Sequence, residues 1–587
     1  MNSKLFAKAA GAALSCLIIM MITSSCGMFM QGVVYENIDK DMDPADYQLL
    51  YSISDHNVEG IKEAIEDGAH LDDIEYSGTR FSRKDRSSIG LALELADGRT
   101  NNDLVHMLID AGADVNGSGV KYKIPYILYA AGIRDSELMD LLIDNGADVN
   151  VKGKFPYRMT PLTALLSDKT LSVLSRFEDH GEIYLSRSDI ADYEYMINTL
   201  LDHGIESTRR DLKCSLESMA RITSAPIILE ALRKKGIKSK LSPALESIIL
   251  GDSKGALETL DTVKKKEQEN VLLFASAFGN KKLLSKMTEA GYDFDVEVKL
   301  FGGTIRPVEI AAAFNDLDSL EYICSKIKDP FSIMPYEERT LLTYAIEACS
   351  DNTVWLSGKV GFSVGDQLKQ EGDRIVYDFV AAAENGNFDA LKAMKGQNLE
   401  PSKKELGYAY DGIVSAGNVG DLNRFHDMGY EMPVGNEDDT LTESLTEDNE
   451  ECISKVIDWG AYVSPFTIQY TIESGSDMFF DKVISHYMGK LNIDMLGDAI
   501  REGRLHAVKA LVKAGQKVEV PYGCDEYDHP TMVHYAAVCP SARVLEYLLS
   551  ACDDPDKIKR VKDNKGRTPY DLAEEAGFKK NMAVLSE

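Results

Sequence analysis

The stretch "MLIDAGADVN", residues Met107–Asn116, returns as "LLIDNGADVN", residues Leu141–Asn150, with eight of its ten residues unchanged 34 positions on. A fixed period of this length is the mark of stacked supersecondary units. The fullest copy of the unit is "YILYAAGIRDSELMDLLIDNGADVN", Tyr126–Asn150. Ile127, Ala130 and Ala131 recur at helical spacing, and Leu138, Leu141 and Leu142 repeat that spacing further on. The unit is thus a short helix, a turn, a second helix, a glycine and an extended polar stretch. Pro125 stands where a helix opens, at a position where a missing N–H is no loss. Gly146 stands where a helix ends in the left-handed conformation.

Outward from that pair the echo weakens but continues. Gly68, Gly204, Gly236, Gly291, Gly361, Gly429, Gly460 and Gly515 follow apolar helical patterns in the same way. Gly429 to Gly460 is 31 residues, and Gly361 to Gly429 is 68, which predicts an intervening unit ending at Gly396. Gly146 to Gly204 is 58, so roughly 25 residues are read as inserted between Leu166 and Tyr193 on a period of this size. Residues 351–373, with Trp355 and several glycines, fit the pattern poorly and read as an irregular junction.

The chain has 587 residues, too many for one core, so several domains or one long array are expected. Hydrophobic residues make up 44 %, which excludes a disordered composition. Lys and Arg number 64 against 95 Asp and Glu, a formal charge of -31. That field repels phosphate backbones, so nucleic acid is excluded as a partner and basic proteins are favoured.

At the N-terminus Lys4 and Lys8 precede an apolar run, Ala9–Ile22, whose 14 residues fall short of the roughly 20 that span a bilayer. Thr23, Ser24 and Ser25 then lead to Cys26. This resembles a bacterial lipoprotein signal peptide, with Thr23 where that family usually carries Leu, Val or Ile. The resemblance implies removal of residues 1–25 and a lipidated Cys26, with attachment to the cell envelope and, more weakly, to the outer membrane. The alternative is an ordinary secretory signal cut near Ser25, giving a soluble exported or periplasmic chain. Residues 26–45 read as a tether. Asp39, Asp41 and Asp43 alternate as in a calcium loop, but Pro44 and Leu50 replace its Gly and Glu, so a solvated linker is expected.

The repeat itself resembles the ankyrin repeat. "TPLTALL" (Thr160–Leu166), "RPVEIAAAFNDLDSLEYI" (Arg306–Ile323), "TMVHYAAV" (Thr531–Val538) and "DNKGRTPYDLAEEAG" (Asp563–Gly577) match its start, and the two G-A-D-V-N segments match its finish. The resemblance covers residues 46–587 as roughly fifteen units. It implies an all-α solenoid of paired antiparallel helices with β-hairpin-like fingers, as an N-terminal stack (46–350) and a C-terminal stack (374–587) with a bend near the junction. It also implies protein binding without catalysis. His534 falls where the family's histidine makes structural bonds.

No hydrolase, zinc-protease or phosphate-loop motif is present, and no cofactor or metal is expected. Cys214, Cys324, Cys349 and Cys452 sit in helical patterns as small apolar groups. One pair among Cys524, Cys539 and Cys552 is open to oxidation. Gly302 and Gly303 read as a finger turn, not a phosphate cradle.

What remains for function is the row of fingers. The first three carry Tyr76, Arg80, Phe81, Arg83 and Lys84, then Lys121, Tyr122 and Lys123, then Lys154, Phe155, Tyr157 and Arg158. Aromatic and Arg residues dominate binding hot spots, so this basic and aromatic row is the expected partner surface. Later fingers, at Glu437, Asp438 and Asp439 and at Asp525, Glu526 and Asp528, are acidic. The expected activity is that of an envelope scaffold or adaptor binding another protein, with the membrane reached only through the lipid. The alternatives are an inhibitor or immunity protein that occludes a toxin or enzyme, and an enzyme whose site lies in an insertion.

Overall fold

The computed structural model describes residues 43–586 except 55, 73, 75–86, 96–101, 119–123, 154–158, 167–186, 217–221, 301–302, 332–339, 365–377, 433–448, 474–475 and 520–530. The described residues are mostly helical, as the apolar spacing predicts, and their only strands are β1 (Val298–Leu300) and β2 (Gly303–Ile305). These pair antiparallel, Val298 opposite Ile305, in the place expected of a finger.

Local chemistry explains why the chain breaks into helix pairs. Several first helices are opened by a hydroxyl. Thr160, Ser242, Thr340, Ser402, Thr531 and Thr568 each accept the amide three residues on. Several second helices are opened by an amide or carboxylate side chain, at Asn57, Asp135, Asp252, Asn280, Asp316, Asn387 and Asn418. Such caps satisfy amides that a helix start leaves free. Many second helices are followed by a left-handed residue. All ten glycines of the sequence series have positive φ, from +68° at Gly236 to +103° at Gly515.

Two sequence expectations are corrected here. Gly396 does not end its unit; it lies inside the helix Phe388–Gly396, and Asn398 takes the left-handed position at φ +57°. Asparagine tolerates that region better than other side chains. Cys349 is not helical. It follows the helix Leu341–Glu347 at φ +52°, with its thiol donating to the Asn385 carbonyl. Within 351–373 the described residues include a helix, Thr353–Val360.

The described residues form two compact units. The larger comprises residues 124–467 and 485–487. In it, first helices pack on one another in succession: Pro243–Ile249 on Gln268–Phe278, then Pro307–Phe314, Leu341–Glu347, Asp378–Glu384 and Lys403–Ser415. The second helices Ser253–Thr259, Lys281–Glu289 and Leu317–Cys324 follow the same order. Alanines at 311 and 312 are fully buried and let neighbouring backbones approach. Turn asparagines lock each pair to the one before. Asn315 donates to the Ser276 and Gly279 carbonyls at 2.8 and 2.9 Å, Asn352 to Asn315 at 2.8 Å, and Asn387 to Ile346 at 3.1 Å. No pair covers its own apolar face, so each neighbour supplies the missing half of the core.

The other unit comprises the described residues of 43–123, 468–484 and 488–586. Its N-terminal helices are α1 (Pro44–Ser54), α2 (Val58–Glu66), α3 (Ser88–Leu95) and α4 (Asn102–Asp110). Its C-terminal helices include α5 (Ile493–Arg501), α6 (Leu505–Lys513), α7 (Met532–Ala537), α8 (Ala542–Ser550), α9 (Pro569–Ala576) and α10 (Lys579–Ser586). α1 packs on α3, and α5, α7 and α9 pack in succession. α2 also packs on α8, so segments almost 500 residues apart in sequence share one unit.

Candidate binding cleft

The sequence-predicted contact residues Arg80, Phe81, Lys121, Tyr122, Lys123, Lys154, Phe155, Tyr157 and Arg158 all lie outside the described residues, as do Cys26, the acidic fingers and most of the 167–193 insertion. Among the described residues the candidate site is instead a cleft of about 460 Å³ in the second unit. One wall is α2 and the turn before it, with His56, Glu59 and Lys62. Another is α4, which presents Asp103, His106, Met107 and Asp110. Spacings of three, four and seven residues put these four on one helix face. Ser476, Asp477 and the turn Gly503–His506 complete it.

The cleft carries both signs of charge. His106 Nδ1 is 3.0 Å from Asp110, one turn on, and His506 Nε2 is 2.8 Å from Asp481. Arg504 donates through Nη2 to the Glu473 carbonyl at 3.2 Å, while its Nε is buried without an acceptor among the described residues. These groups can position polar or charged side chains. Each is individually an ordinary surface residue in sequence, and only the meeting of four separate segments makes them a site. Nothing in local periodicity marks them.

His534 is fully buried. Its Nε2 donates to the Val561 carbonyl at 3.1 Å, and Nδ1 lies 2.8 Å from the Thr531 hydroxyl. Both ring nitrogens are thus engaged in joining a helix start to the next segment, as the resemblance implies. The described cysteines, Cys539 and Cys552 included, are free thiols, and Cys524 lies outside the described residues. Burial pushes the Cys324, Cys452 and Cys552 thiols up to about 11, which keeps them protonated near neutral pH. Asp378 is a buried carboxyl raised to about 7, chiefly by burial and further by Glu347, although the Ser363 amide donates to it at 2.7 Å. No group of three or more metal-ligating side chains gathers among the described residues. No helix among them is long and apolar enough to cross a membrane.

No protein-family model matches this chain. No characterised protein sequence matches it either. Among solved structures it is similar to the crystal structure of the human ASB11 ankyrin repeat domain, at 16 % identity and a TM-score of 0.17. That match covers 44 % of this chain and 90 % of the other. At such an identity and TM-score the likeness carries nothing about partner or chemistry.

Proposed function

We propose that this chain is a non-catalytic protein-binding scaffold built as an ankyrin-type solenoid, exported and held at a bacterial cell envelope through a lipidated Cys26. The observation that carries this reading is the recurrence of one turn chemistry from pair to pair. In the pair Lys403–Ser415 and Val419–Asp427 a hydroxyl cap (Ser402), an Asn cap (Asn418) and a left-handed glycine (Gly429) follow one another, and parts of that set recur in other pairs. Residues spent on that recurrence serve stacking, which leaves the fingers and exposed faces for partners. The basic and aromatic row of the first three fingers is the proposed contact surface.

The charge of -31 favours a second reading, an inhibitor that occludes a basic toxin or enzyme, because opposite charge steers such a pair together. Site-specific photo-crosslinking in the native envelope tests both. A crosslinker at Lys121, Phe155 or Tyr157 is expected to trap a protein that one at Lys282 does not. Equal trapping at both places would contradict a finger interface. A basic target trapped through position 438 or 525 would favour occlusion. The anchor is tested separately: Cys26→Ser is expected to abolish labelling by radioactive palmitate and release the chain from membranes. Retained labelling would contradict it.

A further inference from the structure

We propose that the α1–α2 pair is a latch, held on the turns of the C-terminal helices by the Glu63 carboxylate and able to open as one piece. Glu63 lies on α2 and is 2 % exposed. Its carboxylate receives the Ser541 hydroxyl at 2.9 Å and the Ala542 and Arg543 amides at 3.1 and 2.9 Å. Those amides are the free start of α8, so a side chain from 478 or more residues away caps that helix. A negative charge at a helix start is favoured both by the unpaired N–H groups and by the helix dipole. Gln48 donates to the other side of the same carboxylate at 3.3 Å and to the Pro540 carbonyl at 2.9 Å.

Around this centre the contact is continuous. Arg543 pairs with Glu59 at 2.7 Å and with Glu66. Asn57 donates to the Arg501 carbonyl at 2.8 Å, and the Val58 and Glu59 amides donate to Glu502 and Gly503 at 3.0 and 3.2 Å. Tyr47 donates to the Ala576 carbonyl at 2.8 Å, Tyr51 meets Phe578 edge-on at 4.9 Å, and Lys580 pairs with Asp67 at 2.5 Å. Three successive C-terminal turns are therefore covered by one helix pair. The contact is rich in charge-assisted hydrogen bonds, with one aromatic cluster, Tyr47, Tyr51 and Phe578, beside them. It is the kind that opens locally without melting the units beneath it. Opening uncovers the start of α8 with Arg543 beside it, a surface suited to the acidic face of a partner's helix. Closed, the pair holds that surface against such partners.

Two measurements on the full chain test this. In the wild type a zero-length carbodiimide is expected to join Asp67 to Lys580, seen by mass spectrometry. Glu63→Gln and Arg543→Ala are each expected to lower that product several-fold. Both are also expected to speed hydrogen exchange together in 44–67 and 542–544 by about ten-fold or more, the effect of losing one charge-assisted hydrogen bond of about 1.5–3 kcal/mol. Exchange in Pro307–Phe314 is expected to stay unchanged. Absence of the cross-link in the wild type would overturn the latch. So would faster exchange in only one of the two segments, or in 307–314 as well, since the pair would then not open as a separate piece.

Discussion

Asp378 is a residue whose environment departs far from what its sequence position implies. It sits in an ordinary helical run, yet its carboxyl is buried and raised from about 3.8 to about 7. A raised carboxyl binds its proton more tightly folded than unfolded. Its stabilising contribution is full below about pH 4 and is lost as pH climbs through 7. At 1.36 kcal/mol per unit the loss amounts to about 4 kcal/mol between those limits. Denaturation of the chain at pH 4.5 and 7.5 is expected to show this decline, and Asp378→Asn to lessen it without removing it, because burial also raises Glu384 to about 7. An unchanged profile would mean the carboxyl is hydrated. His534 makes the opposite case. Its role was legible, because a His three residues after a Thr at a helix start matches the repeat, and the structure engages both ring nitrogens. His534→Ala is expected to destabilise by about 1–3 kcal/mol in urea melts, because it leaves the buried Val561 carbonyl and Thr531 hydroxyl without their partner. A cost below about 0.5 kcal/mol would mean water replaces the ring.

At the scale of the element, the helix ends were the legible part. Glycine after an apolar helical run has a local cause, the left-handed backbone, and so leaves a local mark. Gly146 has φ +91° and open space where a Cβ would stand, so Gly146→Ala is expected to cost only the strain, about 1–2 kcal/mol. Gly503 is different. A Cβ there would meet the Asn57 side-chain oxygen at 2.0 Å, a contact from a helix pair more than 400 residues away. Gly503→Ala is expected to cost more than Gly146→Ala and to loosen α1 and α2, as read by exchange in 44–67. The sequence misreads Gly396 for the same reason it reads the others. It looks for glycine where backbone conformation is what matters, and Asn398 satisfies that conformation two residues later.

The whole molecule is where local reading ends. Stacking of neighbouring pairs is visible in sequence because adjacent units share one period. The joining of α2 to α8 is not, because Glu63 differs in nothing from a solvated acid on a helix face until the fold brings Ser541 to it. The cleft is hidden likewise, since its walls come from four separate segments. The function proposed at this scale rests on the finger row, and it is tested most directly by affinity capture from the native envelope. The mature chain would be compared with a variant carrying Lys121→Glu, Phe155→Ala, Tyr157→Ala and Arg158→Glu, both verified as folded by circular dichroism and melting. The account predicts one specific partner captured by the first and lost, by at least about ten-fold, in the second, as expected when several hot-spot side chains are removed. Equal capture of that partner by both would contradict it.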